Sequence, residues 1–481
     1  MKRLSGTDSL FLSTETPAWH QHVGGLTVVD PAESERFSFG EVRRTLLGRL
    51  PRVPKFRWKL KEVPFHLDRA VWIEDKDFDV DKHFRRIAVP PPGGRREVGD
   101  LLGMLMGYQL DRRRPLWEMW YVDGIVGGQV ALITKFHHSL MDGASGAGLA
   151  EQLFDLEPNP PAIADTPPIA EDAGLYEPSD IELFARALIP TIQTPRKITE
   201  YVLRTAGRGV TILRQRNQNP MAMGVAGPCF NGIVGPHRQS SFASVGLDDV
   251  RAVKDALGVK VNDVVLGLVS GALRGHMGRH GDGPEQGSLA AQVPVSTRLA
   301  DDDDHSNKVA TMSATLATDI DDPLERMKAI HASTQSAKEL TQAIRARKIQ
   351  SVGEVAPPLL INLASRAVWA TNITDRVPRV ANVVVSNVPG PPFPIYACGA
   401  KVSGIYAASV LLAFAGLNIT LFSYMDRVDF GLTSDPDLLA DPWGIADGIK
   451  DALAELMDAA GLGKPTPVHD PFDPQSPPAL H

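Results

Sequence analysis

The chain has 481 residues, 43% of them hydrophobic and 22% charged, with a formal net charge of -7. A chain of this length buries a large core and divides into two or three domains of ordinary size, while its charge balance argues against a nucleic-acid partner. Two solitary cysteines, Cys229 and Cys398, stand in no metal spacing and suit a reducing compartment, so the expected location is the cytoplasm.

In chain order, MKRLSGTDSLFLSTETPAW lacks the uninterrupted apolar run of a secretory signal. Residues 1–155 then alternate strands and helices: GGLTVVD, AVWIED, WEMWYVDGI and QVALITKF read as strands, EVRRTLLGRL and VGDLLGMLMGYQL as helices. Residues 156–235 are rich in proline around a helical stretch, IELFARALIP, and read as a long crossover linker. Residues 236–460 repeat the α/β alternation, with a helix in NDVVLGLVSGALRGHM and a strand in RVANVVVSNV, and the proline-rich tail from 461 to 481 is expected to be mobile. The expected fold is therefore mixed α/β, in two domains.

Two segments raise the question of lipid. Residues 402–424 carry no charge for longer than a bilayer requires, but Ser403, Gly404, Ser409, Gly416, Asn418 and Thr420 interrupt them; they read as two buried strands around a glycine turn. Arg196, Lys197, Arg204, Arg208, Arg214 and Arg216, set among Ile, Val and Leu, fit an interfacial helix on anionic lipid or an ordinary amphipathic helix with a solvated basic face.

The chemistry concentrates in FHHSLMDG, residues 136–143, which follows the apolar run VALIT. Adjacent histidines without a HExxH spacing lack the ligands of a zinc site, and no serine stands in a GxSxG elbow. A histidine general base needs only a neutral imidazole held in one tautomer and aimed at a proton, and His138 fits that need. Asp142 supports the motif as architecture, Gly143 lets a long ligand approach the backbone, and His137 is an auxiliary base or a satisfied core histidine.

FHHSLMDG resembles the HHxxxDG signature of the bacterial wax ester synthase/diacylglycerol acyltransferase family, relatives of the CoA-dependent acyltransferases built like chloramphenicol acetyltransferase. LSGTDSLFLSTETPAWHQHVGGL resembles the family's opening, LDRRRPLWE its PLW segment, VNDVVLGLVSGALR its ND helix, QVPVSTR a following strand and VVVSNVPGPPFP its SNVPGP block, in the family's order. Gln21 stands where the family has methionine, and VDFGLTSDP keeps part of a DFGWG element. The resemblance implies two similar α/β domains, joined by the crossover linker, with the histidine in a tunnel between them.

It implies, further, acyl transfer from acyl-CoA to the hydroxyl of diacylglycerol or a fatty alcohol, with His138 as general base and no bound metal or cofactor. Asn262 is the candidate for the oxyanion, and equally for a helix N-cap, with Asp263 structural. Pro115, Leu116, Trp117, Ser386 and Asn387 are candidates for the substrate channel, the first three also for core packing and the last two for a turn after a buried strand. A lipid substrate places the protein at the periphery of the inner membrane or at lipid droplets. The competing expectations are transfer to a polyketide diol or a sugar on the same fold, and a non-catalytic lipid-droplet coat.

Overall fold

The computed structural model describes residues 1–32, 34–140, 153–160, 175–188, 230–281, 287–296, 309–345, 357–371 and 381–476. The first half contains β1 (Lys2–Arg3), α1 (Gly6–Thr14), β2 (His22–Asp30), α2 (Phe39–Arg49), β3 (Trp58–Lys61), β4 (Val71–Glu74), β5 (Phe84–Ala88), α3 (Arg95–Gly107), β6 (Trp117–Asp123) and β7 (Val130–His137). A helix α4 follows at 180–188. The second half contains β8 (Gln239–Gly246), α5 (Leu247–Leu257), α6 (Val261–His280), β9 (Ala290–Ser296), β10 (Val309–Thr315), α7 (Pro323–Arg345) and α8 (Pro358–Thr371). It ends with β11 (Val383–Val388), β12 (Tyr396–Ala397), β13 (Ala400–Ala408), β14 (Leu417–Tyr424), β15 (Arg427–Ser434) and α9 (Trp443–Ala459).

Two six-stranded sheets dominate, in the orders β12-β13-β2-β7-β6-β5 and β10-β9-β11-β14-β15-β8. β7 is central in the first, and its sequence VALITKFH is correspondingly buried on both faces. The buried Lys135 within it is accommodated because the end of α3 leaves carbonyls without helical partners: its Nζ donates to Leu105 O at 2.8 Å and to Tyr108 O. Burial lowers the Lys135 pKa to about 8. The second sheet is covered by α6 and α9, whose Val264, Leu266, Leu268, Ile445 and Ile449 are wholly buried. Beside a smaller sheet, β1-β4-β3, Val63, Val71 and Ile73 pack against Leu183 and Ala187 of α4, so residues 180–188 of the linker form a packed helix.

Three expectations from the sequence are corrected. The sequential boundary at residue 236 is not a spatial one, because β12 and β13 complete the first sheet: β13 pairs antiparallel with β2 from Lys401↔Asp30 to Ala408↔Gly24. The apolar segment 402–424 does hold two buried strands, but they belong to different sheets and form no hairpin. Nor is the tail mobile as far as residue 476: Phe472 is 7% exposed with its ring 5.0 Å from Phe242, and the Thr466 amide donates to Asp249 Oδ2 at 2.8 Å. An aromatic anchor outweighs the prolines around it.

The sheets meet where β13 passes β15. A Cβ on Gly431 would lie 1.9 Å from Ala407 O, so only glycine allows that approach. Beside it is a buried network: Arg427 reaches Asp429 Oδ1 (2.7 Å), Ser244 Oγ (2.7 Å), Ser403 O (2.9 Å), His469 O (2.8 Å) and Tyr406 Oη (3.0 Å).

Among the described residues no single helix is long and apolar enough to cross a membrane. α5 and α6 pass together on composition, but they meet at 104° and their apolar residues form the core. The basic stretch from Arg196 to Arg216 and the acidic run at 301–305 lie outside the described residues.

Candidate active site

β7 carries the motif histidines to the end of the first sheet. The His137 amide donates to Leu116 O at 3.0 Å and the His138 amide to Gln21 O at 2.7 Å, so the chain is held from both sides as it leaves the strand. The Leu140 amide then closes a turn onto His137 O at 2.9 Å. β2 comes close on the other flank because Gly24 has no Cβ; one would lie 1.9 Å from Thr134 O. The two glycines of HQHVGG thus permit the sheet that presents the motif.

The two histidines have different surroundings. His138 is half-buried, and its ring stacks on Phe11 of α1 with centroids 4.0 Å apart and planes at 14°. His137 is 1% exposed and lies opposite His22 in the β2–β7 register. Its Nδ1 accepts the Ser139 amide at 3.1 Å, with Ser139 Oγ at 2.7 Å. An amide can only donate, so Nδ1 carries no proton and the ring is the Nε2–H tautomer. That Nε2 faces Glu15 Oε2 at 3.5 Å. His137 therefore belongs to a buried polar cluster, hydrogen-bonded through Nδ1 and with Nε2 beside the Glu15 charge.

Glu15, His22 and Arg112, which sequence reasoning did not single out, complete that cluster. His22 Nε2 is 3.4 Å from Glu15 Oε1, and Arg112 Nη2 is 2.7 Å from Oε2. Burial alone would raise the Glu15 carboxyl pKa, but His137, His22 and Arg112 outweigh it and hold the group below the usual carboxylate range. Burial, then Arg238, pushes His20 down to about 4; burial and Lys135 push His22 well below its ordinary value.

A pH dependence follows. His20 and His22 are neutral when folded but take up protons when unfolded below about pH 6.5. The unfolded state then binds more protons, so stability declines as pH falls from about 6.5 toward 4, His20 alone contributing on the order of 3 kcal/mol across that window. Urea unfolding at pH 7, 6 and 5 should show a falling midpoint, less steep in His20→Gln; a midpoint unchanged over that range would contradict the burial of neutral histidines.

Of the other candidates, Leu116 and Trp117 are 0% exposed. Trp117 stacks on Phe56 (4.9 Å) and His83 (4.7 Å), and its Nε1 donates to Phe56 O at 2.8 Å. With the buried Pro115 they pack the base of the motif strand, a core role rather than the substrate contact expected as one alternative. Ser386 and Asn387 are strand residues of β11, paired with Thr420 and Leu421 of β14, and not the turn expected; the strand ends at Val388 and the chain bends at Pro392 and Phe393.

Asn262 is half-buried in the first turn of α6, but the cap is made elsewhere: the Asp263 carboxylate accepts the Lys260 amide (3.0 Å), with His331 Nδ1 at 2.6 Å and Thr334 Oγ1 at 2.7 Å. The N-cap alternative for Asn262 is thereby replaced by capping through Asp263. Asp142 and Gly143 lie outside the described residues. A pocket of about 330 Å³ opens in the second half, between Gly271, Arg274, Thr318, Arg326 and Glu455, with no lining from β7 or α1. Its arginines are committed to ion pairs with Asp321 and Glu455.

Two interleaved sheets, with a histidine where a central strand ends, define the chloramphenicol acetyltransferase-like class of fold. The first condensation domain of the calcium-dependent antibiotic synthetase shares it with a TM-score of 0.57 at 13% identity, over 96% of this chain and 97% of that one, a likeness of fold alone. The chain belongs to the wax ester synthase/diacylglycerol acyltransferase family: residues 4–265 match its catalytic domain and residues 305–457 its C-terminal domain. It is 35% identical over 465 residues, 96% of this chain and 91% of the relative, to a Mycobacterium tuberculosis protein named as a diacylglycerol O-acyltransferase. The solved wax ester synthase/diacylglycerol acyltransferase of Marinobacter aquaeolei is 29% identical with a TM-score of 0.68, over 96% of this chain and all of that one. The protein is an O-acyltransferase by class.

Proposed function

We propose that this protein transfers the acyl chain of a long-chain acyl-CoA to the hydroxyl of diacylglycerol, making triacylglycerol, and accepts a fatty alcohol in its place to make a wax ester. The observation that carries the mechanism is the placement of His138, half-buried just past the end of β7 with its ring stacked on Phe11, beside His137, which is 1% exposed and whose Nδ1 accepts the Ser139 amide. His138 takes the proton of the acceptor hydroxyl as its oxygen attacks the thioester carbonyl. The tetrahedral intermediate then collapses, the C–S bond breaks, and the departing CoA thiolate receives that proton. The Asn262 side chain, relieved of capping by Asp263, is the candidate donor to the oxyanion. Acyl-CoA is a substrate, and acid–base transfer of this kind is complete with an imidazole and the two reactants. Purified protein with long-chain acyl-CoA and either diacylglycerol or hexadecanol should release CoA, read with a thiol reagent, and form neutral lipid, read by thin-layer chromatography; release of CoA without neutral lipid would refute the reading.

The same proposal places the protein peripherally at the inner membrane or on lipid droplets, where its acceptor resides. Support comes from large apolar side chains exposed on the surface. Leu360 and Leu363 on α8 are 46% and 54% exposed, and Phe65 and Ile181 are 73% and 81% exposed. α8 is fixed to the end of α1 by Asn362 Nδ2 to Ser13 O (3.3 Å) and Ser365 Oγ to Thr14 O (3.2 Å), and α1 carries Phe11. Exposed large apolar groups of this kind suit a lipid surface. The protein should co-float with phosphatidylglycerol-containing vesicles, and the combined Phe65→Ser, Ile181→Ser, Leu363→Ser variant should lose binding several-fold with its melting temperature maintained; undiminished flotation would remove this face from the proposal.

A further inference from the structure

Glu15 is a carboxylate without a place in the chemistry above, yet its side chain is only 4% exposed at the end of α1. It gathers four groups from three separate parts of the chain. Oε1 accepts the Gln21 amide at 3.3 Å and lies 3.4 Å from His22 Nε2; Oε2 lies 2.7 Å from Arg112 Nη2 and 3.5 Å from His137 Nε2. Arg112 Nη2 also donates to Leu12 O at 3.0 Å, tying the guanidinium to α1. The carboxylate therefore joins the opening segment, β2, the segment before β6 and the motif strand at one point.

From this point two routes lead to His138. One is through the backbone: Glu15 Oε1 holds the Gln21 amide, and the Gln21 carbonyl holds the His138 amide at 2.7 Å. The other is through the neighbouring ring. The Ser139 amide keeps the proton off His137 Nδ1 and so leaves it on Nε2, which lies 3.5 Å from the Glu15 carboxylate, within reach of its charge, and His137 and Ser139 together fix the peptide units on either side of His138. We propose that Glu15 is a positioning residue for the general base: its buried negative charge anchors Gln21 and the Nε2–H tautomer of His137, and so sets where the imidazole of His138 stands. The inference rests on the acyl-transfer reading for its catalytic consequence but not for its structural one. Displacement of a reacting group by about 1 Å costs on the order of a hundredfold in rate.

Glu15→Gln keeps the shape and an oxygen for the Gln21 amide but removes the charge. The expected result is a fall in kcat of about 10- to 100-fold, with KM for acyl-CoA within about twofold of wild type. Selective ¹⁵N-histidine NMR provides the second measurement, with His137 assigned by its loss in His137→Asn. Wild type should show a neutral Nε2–H ring at His137, and Glu15→Gln should lose that signature. Should Glu15→Gln fail to fold, Glu15→Asp, which retains the charge on a shorter stem, is read in the same way, with a smaller loss in kcat at unchanged KM expected. The proposal is overturned by a kcat within twofold of wild type, by kcat and KM shifting together, or by a wild-type His137 protonated on Nδ1. Wild-type protein that transfers no acyl group but shows the Nε2–H ring and its loss in the variant would refute the functional reading while leaving the anchoring by Glu15 standing.

Discussion

His138→Ala should lower kcat for acyl transfer by two to four orders of magnitude while leaving the protein folded. Loss of a general base removes roughly 10²- to 10⁴-fold of rate, or about 3–5 kcal/mol of barrier lowering. The cost to the fold is smaller, because the ring is half-buried and its stacking on Phe11 is worth about 0.5–1.5 kcal/mol. His137→Ala should show the opposite balance. That ring is 1% exposed, and its removal leaves the Ser139 amide without its acceptor and Glu15 without one of its neighbours, so melting temperature should fall along with activity. CoA release and thermal melting on the two variants separate the roles. An undiminished rate in His138→Ala would remove the mechanism.

Arg427→Met should destabilise the folded protein by about 3–5 kcal/mol, the usual cost of removing one member of a buried ion pair. Its guanidinium is 4% exposed, its partner Asp429 is 0% exposed, and the pair is ringed by Ser244, Tyr406, the Ser403 and His469 carbonyls and the Ile405 amide, which donates to Asp429 Oδ2 at 2.9 Å. Burial opposes charge on both groups and raises the Asp429 pKa, whereas Asp429 raises that of Arg427; with all its acceptors in place the guanidinium remains charged. In the variant the carboxyl has lost its counter-charge and is left to protonate. Because β8, β13, β15 and the tail all contribute to this network, chemical unfolding should show the loss in one cooperative transition. A loss below about 1 kcal/mol would mean the network contributes packing only.

Much of this architecture is legible in the residues. VALITKFH is apolar enough to announce a strand buried on both faces, and WEMWYVD and NDVVLGLVSGALRGHM are equally plain. Ser386 and Asn387 mislead because serine and asparagine favour turns, yet backbone pairing with β14 carries them into the strand. The tail misleads because prolines mask one aromatic anchor, Phe472. At the site, the adjacent histidines are evident, but their unequal surroundings are not: the register that sets His22 opposite His137 is a tertiary fact. Glu15 gives still less warning. It ends a short helix, GTDSLFLST, of weak amphipathic pattern, and its burial comes from groups far along the chain.

The pairing of Asp30 with Lys401 has a consequence for biosynthesis. As the polypeptide leaves the ribosome, the strand bearing the motif emerges early, but β2 beside it keeps an unpaired flank until residue 408 has been made. Any interrupted product ending before that point exposes a bare sheet edge, a template for sticking to other chains. Acyl-transfer capacity should therefore appear only in finished copies, and incomplete ones should depend on chaperones or proteases to keep them from aggregating.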